Sequence, residues 1–238
     1  MFIKCVDKNN IVFYHYFKIK EKEGFYMKIA LINENSQAAK NELILNTLKS
    51  VAEPMGHTVF NYGMTSPDNE TQLTYVQEGL LAAILLNSKA VDFVITGCGT
   101  GEGAMLALNS FPNVLCGLVI DPSDAYMFAQ INNGNAVAMP FAKGFGWGAE
   151  LNLQYIFEKL LQNEWGQGYP KERAVFEQQN KKILDDIKKI THTDIMTILK
   201  NVDRQFLKTS VSCPNFKEYF FDNCQDKEIG DFIKSVID

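Results

Sequence analysis

Two side chains stand two residues apart in a turn built to expose them. Cys98 and Thr100 lie within Gly97–Gly103, where four of seven residues are glycine. Glycines let a backbone approach a ligand, and the free N–H groups at a helix start point at negative charge. A thiol at a helix N-terminus can ionise more readily than a free one, so Cys98 is a candidate base or nucleophile. A carbon acid beside a carbonyl needs a base and a stabiliser for the enediolate oxygen. Cys98 as base, the amides of Gly101–Ala104 as oxyanion hole and Thr100 as proton shuttle would isomerise an aldose to a ketose without a metal. Two other readings stay open at this point. Cys98 is also a residue type that packs as a small buried hydrophobe. The spacing Gly99, Gly101, Ala104, with Asp121 twenty residues after Gly101, matches a dinucleotide fingerprint. Against that reading, the glycines follow a third strand instead of a first, and a cysteine has no role in pyrophosphate binding.

The elements that position this turn alternate regularly. Strands are expected at Met27–Ile32, Thr58–Tyr62, Val91–Thr96, Leu115–Ile120 and Asn135–Met139. Helices fill the gaps: one capped by Asn35 or Ser36 and running to about Pro54, one at Leu73–Ser88 with Leu80, Leu81, Ile84 and Leu85 on one face, then Ala104–Asn109, a helix opened by Asp121-Pro122-Ser123, and Ala149–Leu161. Five strand–helix repeats predict a parallel sheet covered on both faces. Ligands bind such sheets at the carboxyl ends of the strands. Glu34, Asn35, Cys98–Gly103, Asp121 and Lys143–Trp147 are therefore expected around one crevice, with Phe145–Gly148 as a lid. His57 reads as a solvated turn residue, and Lys181, Lys182, Lys188 and Lys189 as a solvated helix face. Beyond Gly168 the chain turns polar and helical, with Thr191 and Thr193 as cap candidates. This tail is expected to pack on the domain or on a partner subunit.

Composition narrows the classes. The chain has 238 residues, 46% of them hydrophobic and 21% charged, which is globular. A net charge of −5 gives no support to nucleic-acid binding. Five scattered cysteines without a CxxC, and three distant histidines, predict a reduced cytoplasmic setting and no metal site. No apolar run reaches the ~20 residues a membrane span needs. Residues 1–26 are the least readable: an aromatic alternation, Val12–Phe17, precedes the charged run Lys18–Glu23, and Met27 reads as an alternative start.

Gly97–Asn109, GCGTGEGAMLALN, resembles the signature turn of the type B ribose-5-phosphate isomerases and the related galactose-6-phosphate isomerases. Met27–Ile32, Asp121–Ala125 and Asn132–Asn135 resemble further segments of that family, and the likeness covers roughly 27–161. It implies an α/β, Rossmann-like three-layer sandwich with a five-stranded parallel sheet. It also implies a homodimer, or a dimer of dimers, with composite active sites and neither metal nor other cofactor. It implies Cys98 as base and Thr100 as shuttle; Glu34 is a third catalytic candidate from its own place at the end of the first strand. For a sugar phosphate it implies binding by Asn35, Gly99, Gly101, Glu102, Gly103, Asn132, Asn135, Lys143 and Arg173. The chain departs from the pattern in four places. Glu34-Asn35 replaces Asp-His. Ile131 stands where a ring-opening histidine is expected. Gln72 takes the place of a tyrosine before the second helix. Lys143 is the nearest cation to a missing arginine after the fifth strand. The expected layout is an N-terminal extension (1–26), an isomerase domain (27–168) and a helical extension (169–238), which from about His192 is not part of the common pattern. The expected function is sugar-phosphate isomerisation. A non-catalytic sugar-phosphate-binding or partner subunit is the alternative, ahead of an NAD-binding oxidoreductase.

Overall fold

The computed structural model describes residues 25–238 and, before them, the backbone of strands β1 (Phe2–Val6) and β2 (Val12–Tyr16). The run Lys18–Glu23 lies outside the described residues. β1 and β2 pair antiparallel as their own two-stranded sheet, so the aromatic alternation forms a strand that does not join the main sheet.

The main sheet follows from apolar runs too short to be helices. Its strands are β3 (Lys28–Asn33), β4 (Thr58–Asn61), β5 (Phe93–Cys98), β6 (Cys116–Leu118) and β7 (Ala136–Pro140), all parallel in the order β4-β3-β5-β7-β6. Side chains alternate between faces along each strand. Ile29, Leu31, Phe93, Ile95, Val137 and Met139 go to one core, beneath α1 (Asn41–Ala52) and α5 (Ala149–Leu161). Ala30, Ile32, Val94, Ala136 and Ala138 go to the other, beneath α2 (Tyr75–Asn87) and α3 (Glu102–Asn109). Thr96 and Cys98 share that second face by the same alternation. On the first face, α4 (Pro122–Met127) packs against α5 and runs into a π-helical segment, Phe128–Asn132.

The tail covers what the sheet alone would leave bare. After α6 (Ala174–Thr191) come α7 (Ile195–Asn201), α8 (Arg204–Ser210), α9 (Phe216–Asn223) and α10 (Lys227–Ile237). α7 and α8 pack on α2. At the free edge of β4, Phe60 meets Tyr219 with ring centroids 5.3 Å apart, and Asn215 donates to the Asn61 carbonyl at 3.2 Å. Every residue of α2 from Gln77 to Leu86 is consequently buried. The expected apolar face of Leu80, Leu81, Ile84 and Leu85 is thus part of a helix enclosed all round, which needs no amphipathic stripe.

Four local expectations change. The first turn after β3 is capped by Glu34, not by Asn35 or Ser36. Its carboxylate accepts from the Ser36 amide at 2.8 Å and opens a 3-10 segment, Asn35–Lys40, ahead of α1. α7 is capped by Asp194, which accepts from the Thr197 amide at 2.9 Å, because the Thr191 hydroxyl is turned back to the Ile187 carbonyl. His57 is buried, its Nδ1 accepting from the Met27 amide at 3.1 Å, and burial pushes its pKa below the usual range. Lys188 is also buried; its ammonium donates to the Asn109 carbonyl at 3.0 Å and ties α6 to the end of α3.

Candidate active site

β5 does not stop at Thr96. It continues through Gly97 and Cys98, which pair with Met139 and Pro140 of β7. That register requires glycine at 97, where a Cβ would fall 2.2 Å from the Met139 carbonyl oxygen. Gly101 caps α3 with φ +80°, and a Cβ there would lie 2.8 Å from the Met139 carbonyl carbon. Gly101→Ala should therefore cost about 1–3 kcal/mol, from left-handed backbone and overlap together. A thermal melt of that variant coincident with the parent's would rule out this account of the turn.

The turn is braced from the loop after β7. The Cys98 carbonyl accepts from the Phe141 amide at 2.9 Å, and the Gly99 carbonyl from the Ala142 and Lys143 amides at 3.1 and 2.8 Å. The Thr100 hydroxyl accepts from the Glu102 amide at 3.3 Å, leaving Thr100 beside the start of α3. First-turn amides of a helix have no helical acceptor, so those of Gly103 and Ala104 are available to a developing oxyanion.

Cys98 is a free, half-buried thiol. Its Sγ lies 3.6 Å from the point where a Cβ on Gly103 would sit, and the Tyr75 ring comes within 3.4 Å of that same point. Gly103 is thus the gap between thiol and ring. The aromatic beside the turn is Tyr75, the first residue of α2. Gln72 instead donates to the Pro67 and Asn69 carbonyls of its own loop.

A polar chain runs along the opposite side. The Glu34 carboxylate is buried and accepts from both the amide and the hydroxyl of Ser36. Gln37 Nε2 donates to Ser36 Oγ at 3.0 Å and comes within 4.0 Å of the Cβ position of Gly99. Lys40 donates to Gln37 Oε1 at 2.9 Å and to the Phe141 carbonyl, and it stands over the Phe145 ring at 4.6 Å. Lys40 is the cation that sequence reasoning missed; its signal was its position six residues beyond the acid that caps the first strand's turn, at the end of the 3-10 segment. Lys143, Glu102 and Asn35 are exposed at the rim. In the glycine loop only Phe145 packs inward, against Phe141, while Trp147 is fully exposed.

Three of the expected binding residues are not brought to this mouth. Asn135 sits at the amino end of β7, where both side-chain atoms are used: it accepts from the Leu115 amide at 2.8 Å and donates to the Asn113 carbonyl at 2.6 Å. Asn132 ends the π-helical segment. Together with Ile131, Leu118, Phe128 and Leu184 it lines a cavity of about 810 Å³ between β6, the π-helical segment and α6. That cavity contains neither Cys98 nor Thr100. Arg173, just before α6, pairs with Glu177 at 3.5 Å and stands over the Phe176 ring. Asp121 caps α4 through the amides of Ser123 and Asp124, and its bonds to Ser123 and Asp124 hold its pKa below the usual carboxylate range. Among the described residues no three His, Cys, Asp or Glu side chains converge on a point that could hold a metal ion. No described helix is long and apolar enough to cross a membrane.

Residues 29–174, more than half of the chain, match the family model described as Ribose/Galactose Isomerase. Residues 190–236 match a second one, described as Ribose-5-phosphate isomerase, so the tail expected to lie outside the family pattern has a family model of its own. Comparison with curated proteins gave no match. A crystal structure of 4-deoxy-L-threo-5-hexosulose-uronate ketol-isomerase complexed with a tartrate is 62% identical, with TM-score 0.87, covering 89% of this chain and 99% of that one. Ribose-5-phosphate isomerase from Vibrio parahaemolyticus is 52% identical, with TM-score 0.87, covering 89% and 100%. Type B ribose 5-phosphate isomerase from Leishmania infantum shares the fold at 19% identity and TM-score 0.57, covering 69% of this chain and 98% of that one. The Leishmania likeness covers less of this chain, whereas the two nearer relatives match over 89% of it. The chain belongs to the ribose/galactose isomerase family and is a sugar isomerase.

Proposed function

We propose that this enzyme carries out metal-independent ketol isomerisation of an open-chain, anionic sugar of the 5-keto-uronate class. The Cys98 thiolate removes the proton from C2 of the aldose. The electron pair moves into an enediolate whose O1 faces the first-turn amides of α3. The thiol returns the proton to C1 while Thr100 carries the hydroxyl proton from O2 to O1, leaving the 2-ketose. No oxidant or metal is needed for the balance.

The observation that carries the substrate class is Ile131. An isoleucine offers no proton for opening a sugar ring, and it makes its part of the cavity apolar. Glu34 does not replace it, since both of its oxygens accept from Ser36 and it serves as a cap. A sugar that cannot close a ring needs no such acid. The substrate in the name of the 62%-identical relative is of that kind: it is 4-deoxy and has its second carbonyl at C5, so neither C4 nor C5 carries a hydroxyl to attack the aldehyde. Its carboxylate suits a guanidinium, which binds carboxylates through two parallel hydrogen bonds. Arg173 is assigned to that contact, with Lys143 and Asn35 at the rim.

A sugar phosphate is the second reading, favoured by the 52%-identical relative and by the family description. Turnover of a 5-keto-uronate and of ribose 5-phosphate, followed by proton exchange in deuterated water, separates the two. The expected result is at least a ~10²-fold preference in kcat/KM for the uronate, unchanged after treatment with a chelator. A preference of that size for the phosphate would overturn the substrate class, and loss of activity with the chelator would overturn metal independence.

Asn132 lines a cavity that Cys98 does not, which supports a dimer in which each site takes Cys98 from one copy and Asn132 and Arg173 from the other. The exposed apolar residues Ile183, Leu184, Ile187 and Ile190 on α6, the helix that Arg173 precedes, suit such contact.

A further inference from the structure

Beneath the candidate site lies a carboxyl that the mechanism above does not use. Glu78 is on α2, one turn beyond Tyr75, and residues three apart on a helix share a face. That face is turned to the sheet: Tyr75 reaches the Gly103 gap beside Cys98, and Glu78 lies under it, next to Thr96 of β5. Glu78 is fully buried, and among the described residues neither of its carboxyl oxygens has a hydrogen-bond partner. An ionised carboxyl without a partner is costly to bury. Among the described residues no cation pairs with it, and the buried Lys188 acts on Cys116 instead. The titratable groups that act on it are Glu34 from the turn after β3 and Cys98 from β5, and it acts in turn on Cys116 of β6 and Cys213 after α8. The lysines of the packed tail helices, Lys200 and Lys208, and Glu102 of α3 are exposed to solvent. The Thr96 hydroxyl already gives its proton to the Ile32 carbonyl at 2.8 Å, so towards Glu78 it can only accept.

We infer that Glu78 is a positioning residue for Cys98: a buried carboxyl that, while it keeps its proton, leaves the Cys98 thiolate without a competing negative charge, and that opposes the thiolate once it ionises. The inference rests on Cys98 being the base. Burial pushes the Glu78 pKa well above the usual carboxylate range, and the nearby Glu34 and Cys98 add to the rise. Two groups of this kind release their protons as a coupled pair.

Glu78→Gln keeps the shape and removes the charge. Iodoacetamide alkylation of the Cys98 peptide, followed by mass spectrometry on the intact folded protein, should run at the parent rate near pH 6. In alkaline buffer it should run ~3–10-fold faster than the parent, and the rise of kcat with pH should be complete at a lower pH than in the parent. Stability supplies an independent check. Because the folded protein holds the Glu78 proton while an unfolded glutamate loses it above about pH 4.3, parent stability falls as pH rises from there towards the raised folded value. Glu78→Gln removes that fall, so its melting temperature should gain on the parent's between pH 5 and pH 8. If the amide packs poorly in that pocket, Glu78→Leu tests the same charge effect on alkylation. Alkylation curves that coincide with the parent's in both variants would overturn the inference while leaving Cys98 free to be the base. Normal turnover by Cys98→Ala would instead remove the base assignment on which the inference stands, whatever the alkylation curves show.

Discussion

Cys98→Ala should abolish isomerisation while leaving the fold and ligand binding in place. Loss of a positioned base is expected to lower kcat by at least ~10²-fold. The thiol is half-buried and makes no hydrogen bond among the described residues, so alanine removes one polarisable atom from the edge of the α2–α3 core and nothing that braces the turn. The bracing comes from the Cys98 and Gly99 carbonyls, which accept from Phe141, Ala142 and Lys143 and are untouched by the change. Two measurements check the expectation. The first is exchange of the C2 proton into deuterated water, followed by NMR, which reports the abstraction step even where net turnover is slow. The second is calorimetric titration with a non-reacting sugar acid, which should give binding close to the parent's. Exchange at the parent rate would take Cys98 out of the mechanism and return it to the status of a packing residue. Loss of exchange together with loss of binding would point to a disordered turn, and the melt of the variant would show that.

The parts of this architecture written in local sequence were legible. Apolar runs alternating with helix formers specify the five parallel strands, because each run must be covered on both faces. The glycine turn is legible because Gly97 and Gly101 answer to backbone contacts with β7 that no side chain would allow. What depends on distant segments was not. Glu78 looks like an ordinary helix-start acid until α3, α7 and α8 close around α2 and leave it dry. His57 reads as a turn residue until the Met27 amide finds it, and Lys188 as solvated until its ammonium meets the end of α3. The tyrosine beside the turn was sought at 72, but loop hydrogen bonds hold Gln72 outward and the first turn of α2 delivers Tyr75. Lys40 escaped notice because a 3-10 segment, not a regular helix, follows Glu34 and turns that lysine onto Phe141 and Phe145.

Mixing two inactive variants should restore activity. Asn135 directly precedes β7, while Cys98 pairs with Pro140 at the other end of that strand. Four residues of strand separate the level of Ala136 from that of Pro140, about 13 Å at the usual rise. Asn132 is held on the far side of that span by its neighbour Asn133, whose side chain donates to Gln178 of α6 at 2.9 Å. Within one protomer Asn132 lines a cavity that Cys98 does not reach. A two-fold dimer can bring the two together, because its interface places the same patch of each copy against the other. Cys98→Ala and Asn132→Ala should each be inactive alone, the second through loss of a polar contact to the substrate. In a heterodimer of the two, one site carries both changes and the other carries neither. Random re-pairing of equal amounts should then bring back about a quarter of the parent activity, since half of the dimers are mixed and each has one intact site. Native mass spectrometry would establish that mixed dimers have formed. Mixed dimers with no recovered activity would mean that Asn132 does not complete the partner's site. Substantial activity in Asn132→Ala alone would mean that it takes no part in catalysis from either side.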